Sequence, residues 1–172
     1  MAERMKVLIA YDGSSAANAA LDDLPHAGLP RVAAALVLSV ADVFLPRSAN
    51  LEPAVPAQVP AAVRRGWTEA TQAVEAAHAL AQQARAHVLT AFPAWNVQAE
   101  ACADSPAWAV IKKADIWQPD VIVVGSHGPS AMGRFLLGSV SQKILSGAHC
   151  SVSRDSYRPP GRRGTTNAAG YR

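Results

Sequence analysis

The chain contains 172 residues, of which 50% are hydrophobic and 17% are charged, and this composition is typical of a single globular domain with a sizeable core. No stretch approaches the roughly 20 apolar residues of a membrane-spanning helix, and the first residues lack the layout of a signal peptide, so we expect a cytoplasmic protein without a membrane partner. The net charge of +3 comes from residues 154–172, which hold five arginines and one acid; residues 1–153 carry eleven basic and twelve acidic residues, which argues against a nucleic-acid partner.

The start of the chain predicts a strand, a turn, a helix and a second strand. Residues 5–11 (MKVLIAY) form an apolar run that ends in the turn-forming sequence DGSS at 12–15. One of these two serines is expected to cap the alanine-rich helix that follows and ends near residue 24. A second apolar run, AAALVLSV at 33–40, predicts the second strand.

The middle of the chain predicts a long connection, a long helix and a strand at the edge of a sheet. Four prolines between residues 43 and 60 exclude regular structure in the connection. The Ala, Gln and Glu content of residues 61–91 predicts the helix. Residues 97–102 (VQAEAC) alternate between apolar and polar types, which indicates a strand with only one face covered.

The last elements repeat the alternation of helix and strand. A serine–proline pair at 105–106 is expected to open a helix that runs to about residue 117. The sequence VIVV at 121–124 predicts a short strand that is buried on both faces of a parallel sheet. A final helix is predicted from Ser139 to about residue 146, because Ser139 and the glutamine three residues later have capping-box spacing.

This alternation predicts an α/β fold in which right-handed crossovers build a parallel sheet covered by helices on both faces. If the two apolar strands at 5–11 and 121–124 are central neighbours, and a short fifth strand lies at 150–153, the strand order is 3-2-1-4-5. Ligands of such sheets bind at the carboxyl ends of the strands, beside the point where the order reverses. Asp12 and Gly125 directly follow the two central strands, so they mark the predicted cleft.

A glycine-bearing stretch after the fourth strand carries the predicted chemistry. Phosphate groups need converging main-chain amides without side chains in the way, and both glycines and a helix N-terminus provide them. Ordinary turn formation by the same glycines is the alternative interpretation. The stretch is not a P-loop, because no Gly-Lys-Ser/Thr follows, and it is not a nucleophile elbow. The predicted phosphate-binding groups are Gly125, Gly128, Gly138 and the amides of Ser139, Val140 and Ser141, and the hydroxyls of Ser139 and Ser141 are expected to add hydrogen bonds.

The pattern G-x2-G-x9-G-[ST], from Gly125 to Ser139, resembles the ATP-binding signature of the universal stress protein family. VLIAYDGSS near the start of the chain and LGSVS at 137–141 extend the resemblance to about residues 4–152. It implies a Rossmann-like sandwich with a five-stranded parallel sheet, a cytoplasmic homodimer, and a role in stress resistance or signalling. It also implies a bound ATP or AMP, accompanied in some members by Mg²⁺ or Mn²⁺.

The resemblance also implies roles for residues near the ends of the other strands. Asp12 matches an acidic residue that contacts the nucleoside, and Val40 matches an apolar contact to adenine. The remaining implied contacts are Ala10, Tyr11 and Val124 around the nucleoside, and Ser126 and His127 in the phosphate and ribose segment. No catalytic residue is predicted, because His127 has no readable acid partner, and Arg134 is expected either to be exposed to solvent or to reach the terminal phosphate. No cluster of carboxylates predicts a metal site built by the protein alone.

The resemblance predicts a nucleotide-binding domain at residues 1–153, followed by a basic, disordered tail at 154–172. The expected fifth strand is shorter and more polar than is usual in the family, where this edge joins two protomers, so the geometry of a dimer stays open. The connection at 43–60 is longer than usual, which suggests a flap or a partner surface.

Two other functions compete with nucleotide binding in a stress protein. The first is a homodimeric interaction module that binds no nucleotide. The second is an enzyme of a related nucleotide α-hydrolase-like fold, but such enzymes need H-x-G-H or S-G-G-x-D-S motifs, and this sequence contains neither. Slow ATP hydrolysis by a nucleotide-binding stress protein stays open, without a residue to carry it.

Overall fold

The computed structural model describes residues 4–43, 61–125 and 138–154, with the backbone alone for 61–63 and 154. This part of the chain contains five strands and four α-helices. The strands are β1 (Lys6–Ala10), β2 (Ala34–Ala41), β3 (Asn96–Ala103), β4 (Val121–Val124) and β5 (Ser151–Arg154). The helices are α1 (Ser15–Asp23), α2 (Ala61–Ala91), α3 (Pro106–Trp117) and α4 (Ser139–Gly147), and a 3₁₀ turn at Leu24–His26 follows α1.

The five strands form one parallel sheet in the order β3-β2-β1-β4-β5, which confirms the predicted fold class and topology. Ala10, the last residue of β1, pairs with Leu38 of β2 on one side and with Val124 of β4 on the other. The switch in strand order therefore lies between β1 and β4, and these two strands end at the same level. β3 is an edge strand, as the alternating pattern of its residues predicted.

Two hydrophobic layers cover the sheet because alternate strand residues point to opposite faces. The layer under α1 and α2 contains Val7, Ile9, Tyr11, Val37 and Val123, with Ala17, Leu21, Ala81, Ala84 and Val88. The layer under α3 and α4 contains Leu8, Leu36, Leu38, Ile122 and Val124, with Ala107, Val110, Ala114 and Ile144. Leu8, Ile122 and Ile144 are fully buried. Within the described residues, no helix is long and apolar enough to cross a membrane.

The ends of the helices agree with the sequence at three of four positions. The Ser14 side chain caps α1, Ser105 is the N-cap residue of α3, and α2 has the predicted bounds. The capping box predicted at Ser139 is wrong: Gly138 is the N-cap residue of α4, and Ser139 is its first helical residue. The Gln142 amide donates to the Gly138 carbonyl at 2.9 Å, which makes Gly138 the cap, and a local pattern of serine and glutamine does not distinguish this register from the predicted one.

Candidate functional site

β1 and β4 end side by side at the point where the strand order reverses, and we call the space beyond their carboxyl ends the crevice. After Ala10 the chain turns towards α1, whose Ala17 and Leu21 belong to one hydrophobic layer. After Val124 it leads to α4, whose Ile144 belongs to the opposite layer. The helices that follow these two adjacent strands therefore pack on opposite faces of the sheet, the arrangement beside which ligands of such sheets bind.

The turn between β1 and α1 presents the carboxylate of Asp12. Oδ1 of Asp12 accepts a hydrogen bond from the Ser14 amide at 3.0 Å, and Oγ of Ser14 accepts one from the Ala17 amide at 3.1 Å. Gly13 between them has a φ of +76°, a conformation that favours glycine. Asp12 is exposed, so its carboxylate is held in a defined turn while facing solvent at the edge of the crevice.

Tyr11 is held by the protein through its main chain and its side chain. Its amide donates to the Leu38 carbonyl at 3.0 Å, and its carbonyl accepts from the Ser39 hydroxyl at 2.7 Å. The Tyr11 hydroxyl donates to Oδ1 of Asn18 at 2.7 Å. Tyr11 is only 4% exposed, so it contributes to the site by fixing the end of β1.

Burial raises the pKa of the Tyr11 phenol above its ordinary value, and the nearby carboxylates of Asp12 and Asp22 raise it further. The hydrogen bond with Asn18 acts in the opposite direction. The phenol therefore stays neutral at physiological pH and adds no charge beside the crevice.

Ser39 is a structural contributor to the site that sequence reasoning missed. It is completely buried in β2, and its hydroxyl fixes the Tyr11 carbonyl. The available signal was a single polar residue inside the apolar run of β2, AALVLSVA. A buried hydroxyl needs a hydrogen-bond partner, so this position pointed to a contact that only the neighbouring strand provides.

The packing of α1 against the end of β4 requires glycine at position 125. A Cβ atom at this position would lie 2.8 Å from the Ala17 amide nitrogen and 2.9 Å from the Ala16 carbonyl carbon. Both are backbone atoms of α1, which do not move aside as a flexible side chain does. The glycine at the end of β4 therefore allows α1 to approach the sheet, a reason that the sequence interpretation did not include.

Ser141 anchors the start of α4 to the end of β4. Its hydroxyl donates to the Gly125 carbonyl at 2.7 Å, and Ser141 is only 5% exposed. The hydroxyl proton is therefore used within the protein, whereas the sequence interpretation allowed it to bind a ligand. What this anchor places beside the crevice is the N-terminus of α4.

The first amides of α4 have no acceptor four residues earlier within the helix. These amides belong to Ser139, Val140 and Ser141, and the Ser139 and Val140 side chains are exposed. Together with the positive end of the helix dipole, they form an arrangement that favours an anion. Gly138 has an ordinary φ of −57°. Glycine suits this position because it lacks a side chain, not because its backbone is free.

Apolar side chains form the wall of the crevice on the α3 and α4 side. Ala10 and Val40 are half-buried and pack against the hydrophobic layer at the ends of their strands. Val124 is only 3% exposed and lies beneath the surface of this wall. A flat apolar ligand would thus contact Ala10 and Val40 more than Val124.

The middle of the glycine-bearing stretch lies outside the described residues. This applies to Ser126, His127, Gly128 and Arg134, and also to residues 44–60 of the proline-rich connection and to 155–172. The roles of these residues stay predictions. Among the residues that are described, no group of three or more His, Cys, Asp or Glu side chains could hold a metal ion.

Comparisons with known proteins relate the chain to one protein family. The model of the universal stress protein family matches residues 3–153. Universal stress protein MJ0531 of Methanocaldococcus jannaschii is 38% identical over 47 residues, a segment that covers 27% of this chain and 28% of that relative. The chain thus spans less than a third of the length of this curated relative.

Solved structures show the same fold at low identity. Hypothetical protein MJ0577 superposes with a TM-score of 0.71 at 18% identity, over 92% of this chain and 99% of the other. A universal stress protein in complex with cAMP has a TM-score of 0.57 at 18% identity, over 88% and 96%. A family member from Arabidopsis thaliana with AMP bound has a TM-score of 0.54 at 16% identity, over 87% and 90%.

Proposed function

Because this chain belongs to the universal stress protein family, we propose that it binds an adenine nucleotide, ATP or AMP, at the carboxyl ends of β1 and β4. The observation that carries the proposal is the bond from the Ser141 hydroxyl to the Gly125 carbonyl, which fixes the N-terminus of α4 beside this edge of the sheet. The complexes of two similar folds with cAMP and with AMP support an adenine nucleotide as the ligand.

The phosphates bind at the N-terminus of α4 in this proposal. The amides of Ser139, Val140 and Ser141 donate to phosphate oxygens, and the helix dipole stabilises their negative charge. The predicted loop residues Ser126, His127 and Gly128 complete the phosphate-binding segment. The Ser141 hydroxyl acts indirectly, because its bond to Gly125 holds the amides in position.

The nucleoside lies across the ends of β1 and β2. Ala10 and Val40 offer half-buried apolar surface for adenine, and the exposed Asp12 carboxylate accepts a hydrogen bond from a ribose hydroxyl or from the adenine amine. Since Oδ1 of Asp12 already accepts from Ser14, Oδ2 is the oxygen that serves the ligand. Tyr11 contributes by its fixed backbone and Val124 by supporting the wall.

The family also implies Mg²⁺ or Mn²⁺ beside the phosphates. In the described part of the chain Asp12 is the carboxylate nearest to the crevice, and no cluster of metal-binding side chains surrounds it. These residues do not form a site for a cation without the ligands that a nucleotide would supply.

In this proposal the nucleotide regulates rather than serves as a substrate. Occupancy of the crevice alters how α4 and the following β5 present themselves to a partner, in a cytoplasmic homodimer that acts in stress response or signalling. No residue is assigned to hydrolysis. The outer edge of β5 is part of the proposed dimer surface, although Ser151 and Ser153 make this strand polar.

Isothermal titration with ATP and AMP tests the proposal when wild type is compared with Ser139→Asp and Ser139→Asn. Aspartate at the first position of α4 suits the helix dipole but repels phosphate, whereas asparagine has nearly the same shape without the charge. We expect micromolar binding by wild type and Ser139→Asn, and at least about tenfold weaker ATP binding by Ser139→Asp, which corresponds to 1.4 kcal/mol. Equal affinities in the two variants, or no uptake of either nucleotide by wild type, would overturn the proposal.

A second candidate function is an interaction module that binds no nucleotide. The observation that favours it is the exposed apolar surface of α3, where Trp108 is 60% and Ile116 is 73% exposed. Denaturing the purified protein and analysing the released small molecules by mass spectrometry distinguishes the two functions. Release of AMP or ATP in proportion to protein excludes the module without nucleotide.

A further inference from the structure

The helix α2 is longer than the sheet on which it packs. A Cβ atom at Gly13, in the turn after β1, would lie 2.9 Å from the Leu80 side chain, so Leu80 stands level with the carboxyl ends of the strands. Because α2 leads from the end of β2 back to the start of the parallel strand β3, it runs antiparallel to the strands. At 1.5 Å per residue, Arg64 lies roughly 24 Å beyond this edge of the sheet.

The projecting part of α2 carries a stripe of side chains on its outer face. Ala70 and Ala77 are only 3% and 5% exposed, and they mark the inner face of the helix. The stripe follows the spacing of three and four residues on the other side of the helix, and only Trp67 among its members is half-buried rather than exposed. These residues, which we call the α2 stripe, line an open cavity of about 510 Å³ and are Arg64, Trp67, Thr68, Thr71, Gln72 and Glu75.

The order of side chains along the α2 stripe is complementary to its own reverse. The pairs at equal distances from the midpoint between residues 69 and 70 are Arg64 and Glu75, Trp67 and Gln72, and Thr68 and Thr71. In an interface with twofold symmetry, each residue contacts its counterpart in both directions. Two antiparallel copies of the helix would therefore set arginine against glutamate at both ends and threonine against threonine at the centre.

The two charges of the α2 stripe are available to a partner. Arg64 and Glu75 are eleven residues apart, which is about 16 Å along the helix, so they do not reach each other within one chain. Among the residues that the structure describes, neither side chain forms an ion pair. Both are exposed, so they can meet charges of opposite sign on another molecule.

We propose that the α2 stripe binds the α2 stripe of a second copy of this chain, as an antiparallel helix pair in which Arg64 of each copy contacts Glu75 of the other. The Trp67 indole, beside Gln72 of the other copy, supplies the largest apolar area, as aromatic side chains do in many interfaces. The Thr68 hydroxyl donates to the Arg64 carbonyl at 3.0 Å, so it needs no partner across the interface. This inference does not depend on nucleotide binding.

The surface is distinct from the dimer surface proposed at β5. α2 packs mainly on β2 and β3, whereas β5 lies at the opposite edge of the sheet. About three helical turns from each copy bury less than the roughly 1,200–2,000 Å² of a standard interface, so we expect dissociation constants in the micromolar range or above. Since the charges at the two ends are exposed, salt should weaken the pairing.

Sedimentation velocity of the full-length protein over a range of concentrations tests the pairing with R64E, E75R and the charge swap R64E/E75R. Each single reversal sets like charges against each other at both ends of the helix pair, and the swap restores opposite charges. At low salt we expect each single reversal to weaken association by about tenfold or more, and the swap to return it to within about threefold of wild type. Because positions 64 and 75 do not meet within one chain, this rescue reports a contact between copies.

R31E is the matched control for R64E. Arg31 is exposed and precedes β2, at the other end of the sheet, so R31E makes the same charge reversal far from the α2 stripe. It should associate as wild type does, and thermal unfolding verifies that every variant is folded.

Three results would overturn this inference. They are the lack of any association step that R64E weakens, a charge swap that associates no better than the single reversals, and an equal loss in R31E. If all the proteins form the same dimer at every concentration, the copies meet at another surface, such as β5, and the inference fails.

Discussion

Replacing Ser141 with alanine tests whether its part-buried hydrogen bond fixes the start of α4 to the sheet. The substitution removes the hydroxyl that donates to the Gly125 carbonyl at 2.7 Å, at a position only 5% exposed. Leaving this part-buried acceptor without its donor costs about 1–3 kcal/mol, and the better helix propensity of alanine returns about 0.5 kcal/mol. We therefore expect a net loss of about 1–2 kcal/mol in the free energy of unfolding.

Ser146→Ala is the matched control for this experiment. Ser146 lies in the same helix, is exposed, and its hydroxyl donates to the Gln142 carbonyl one turn earlier at 3.0 Å. Its loss should change stability by no more than about 0.5 kcal/mol. Urea unfolding followed by circular dichroism measures both variants. For a chain of this size, the expected loss in Ser141→Ala lowers the melting temperature by roughly 2–8 °C.

Nucleotide affinity provides the second measurement on the same pair. If the Ser141 bond positions the amides of α4, Ser141→Ala should bind ATP several-fold more weakly, whereas Ser146→Ala should bind it as wild type does. Equal unfolding free energies for the two variants would show that the bond to Gly125 contributes nothing to the fold, and the reasoning about the anchored helix would be refuted.

Three further outcomes are expected. Gly125→Ala should destabilise the protein by about 1–3 kcal/mol, because its Cβ would lie 2.8 Å from a backbone nitrogen of α1. Gly66→Ala, in the exposed part of α2 with open space around it, should stabilise the protein by about 0.5–1 kcal/mol. Urea titrations of both variants test these two expectations. Since burial raises the pKa of Tyr11, the unfolded chain releases the phenolic proton at lower pH than the folded protein does. The stability that this group contributes is complete below pH 10 and should be lost as pH rises through the pKa of the folded protein. A Tyr11→Phe variant whose stability has the same slope against pH as wild type would contradict this. Burial likewise raises the pKa of the Cys102 and Cys150 thiols. Iodoacetamide at pH 8 should therefore modify both thiols more slowly in the folded protein than in urea. Mass spectrometry measures the two rates, and equal rates would contradict the expected protection.

Local patterns in the sequence predicted most of the elements and the location of the candidate site. VIVV at 121–124 predicted a short strand covered on both faces, and the serine–proline pair at 105–106 predicted the start of α3. The strand order followed from placing the two most apolar strands side by side. The boundaries of β1, β2, β3 and β5 differ from the predicted ones by one residue at each end, because strand ends depend on the neighbour that pairs with them.

The contacts that shape the candidate site were not readable in this way. Glycine at 125 looked like a residue chosen for a ligand, yet the backbone of α1 occupies the space a side chain would need. Ser141 looked like a ligand-binding hydroxyl, yet it donates to the Gly125 carbonyl. Both contacts join residues from different elements, and no periodicity within one element reports on them.

The sequence by itself thus determined that strands and helices alternate, which strands are buried on both faces, and at which edge of the sheet the glycines gather. These features are local, since hydrophobic periodicity and turn residues act within a few positions of the chain. Only the tertiary structure decided that Ser39 holds the end of β1 and that Ser141 holds the start of α4. A buried hydroxyl binds whichever polar group the packed fold brings within about 3 Å, and that distance exists only after the elements have assembled.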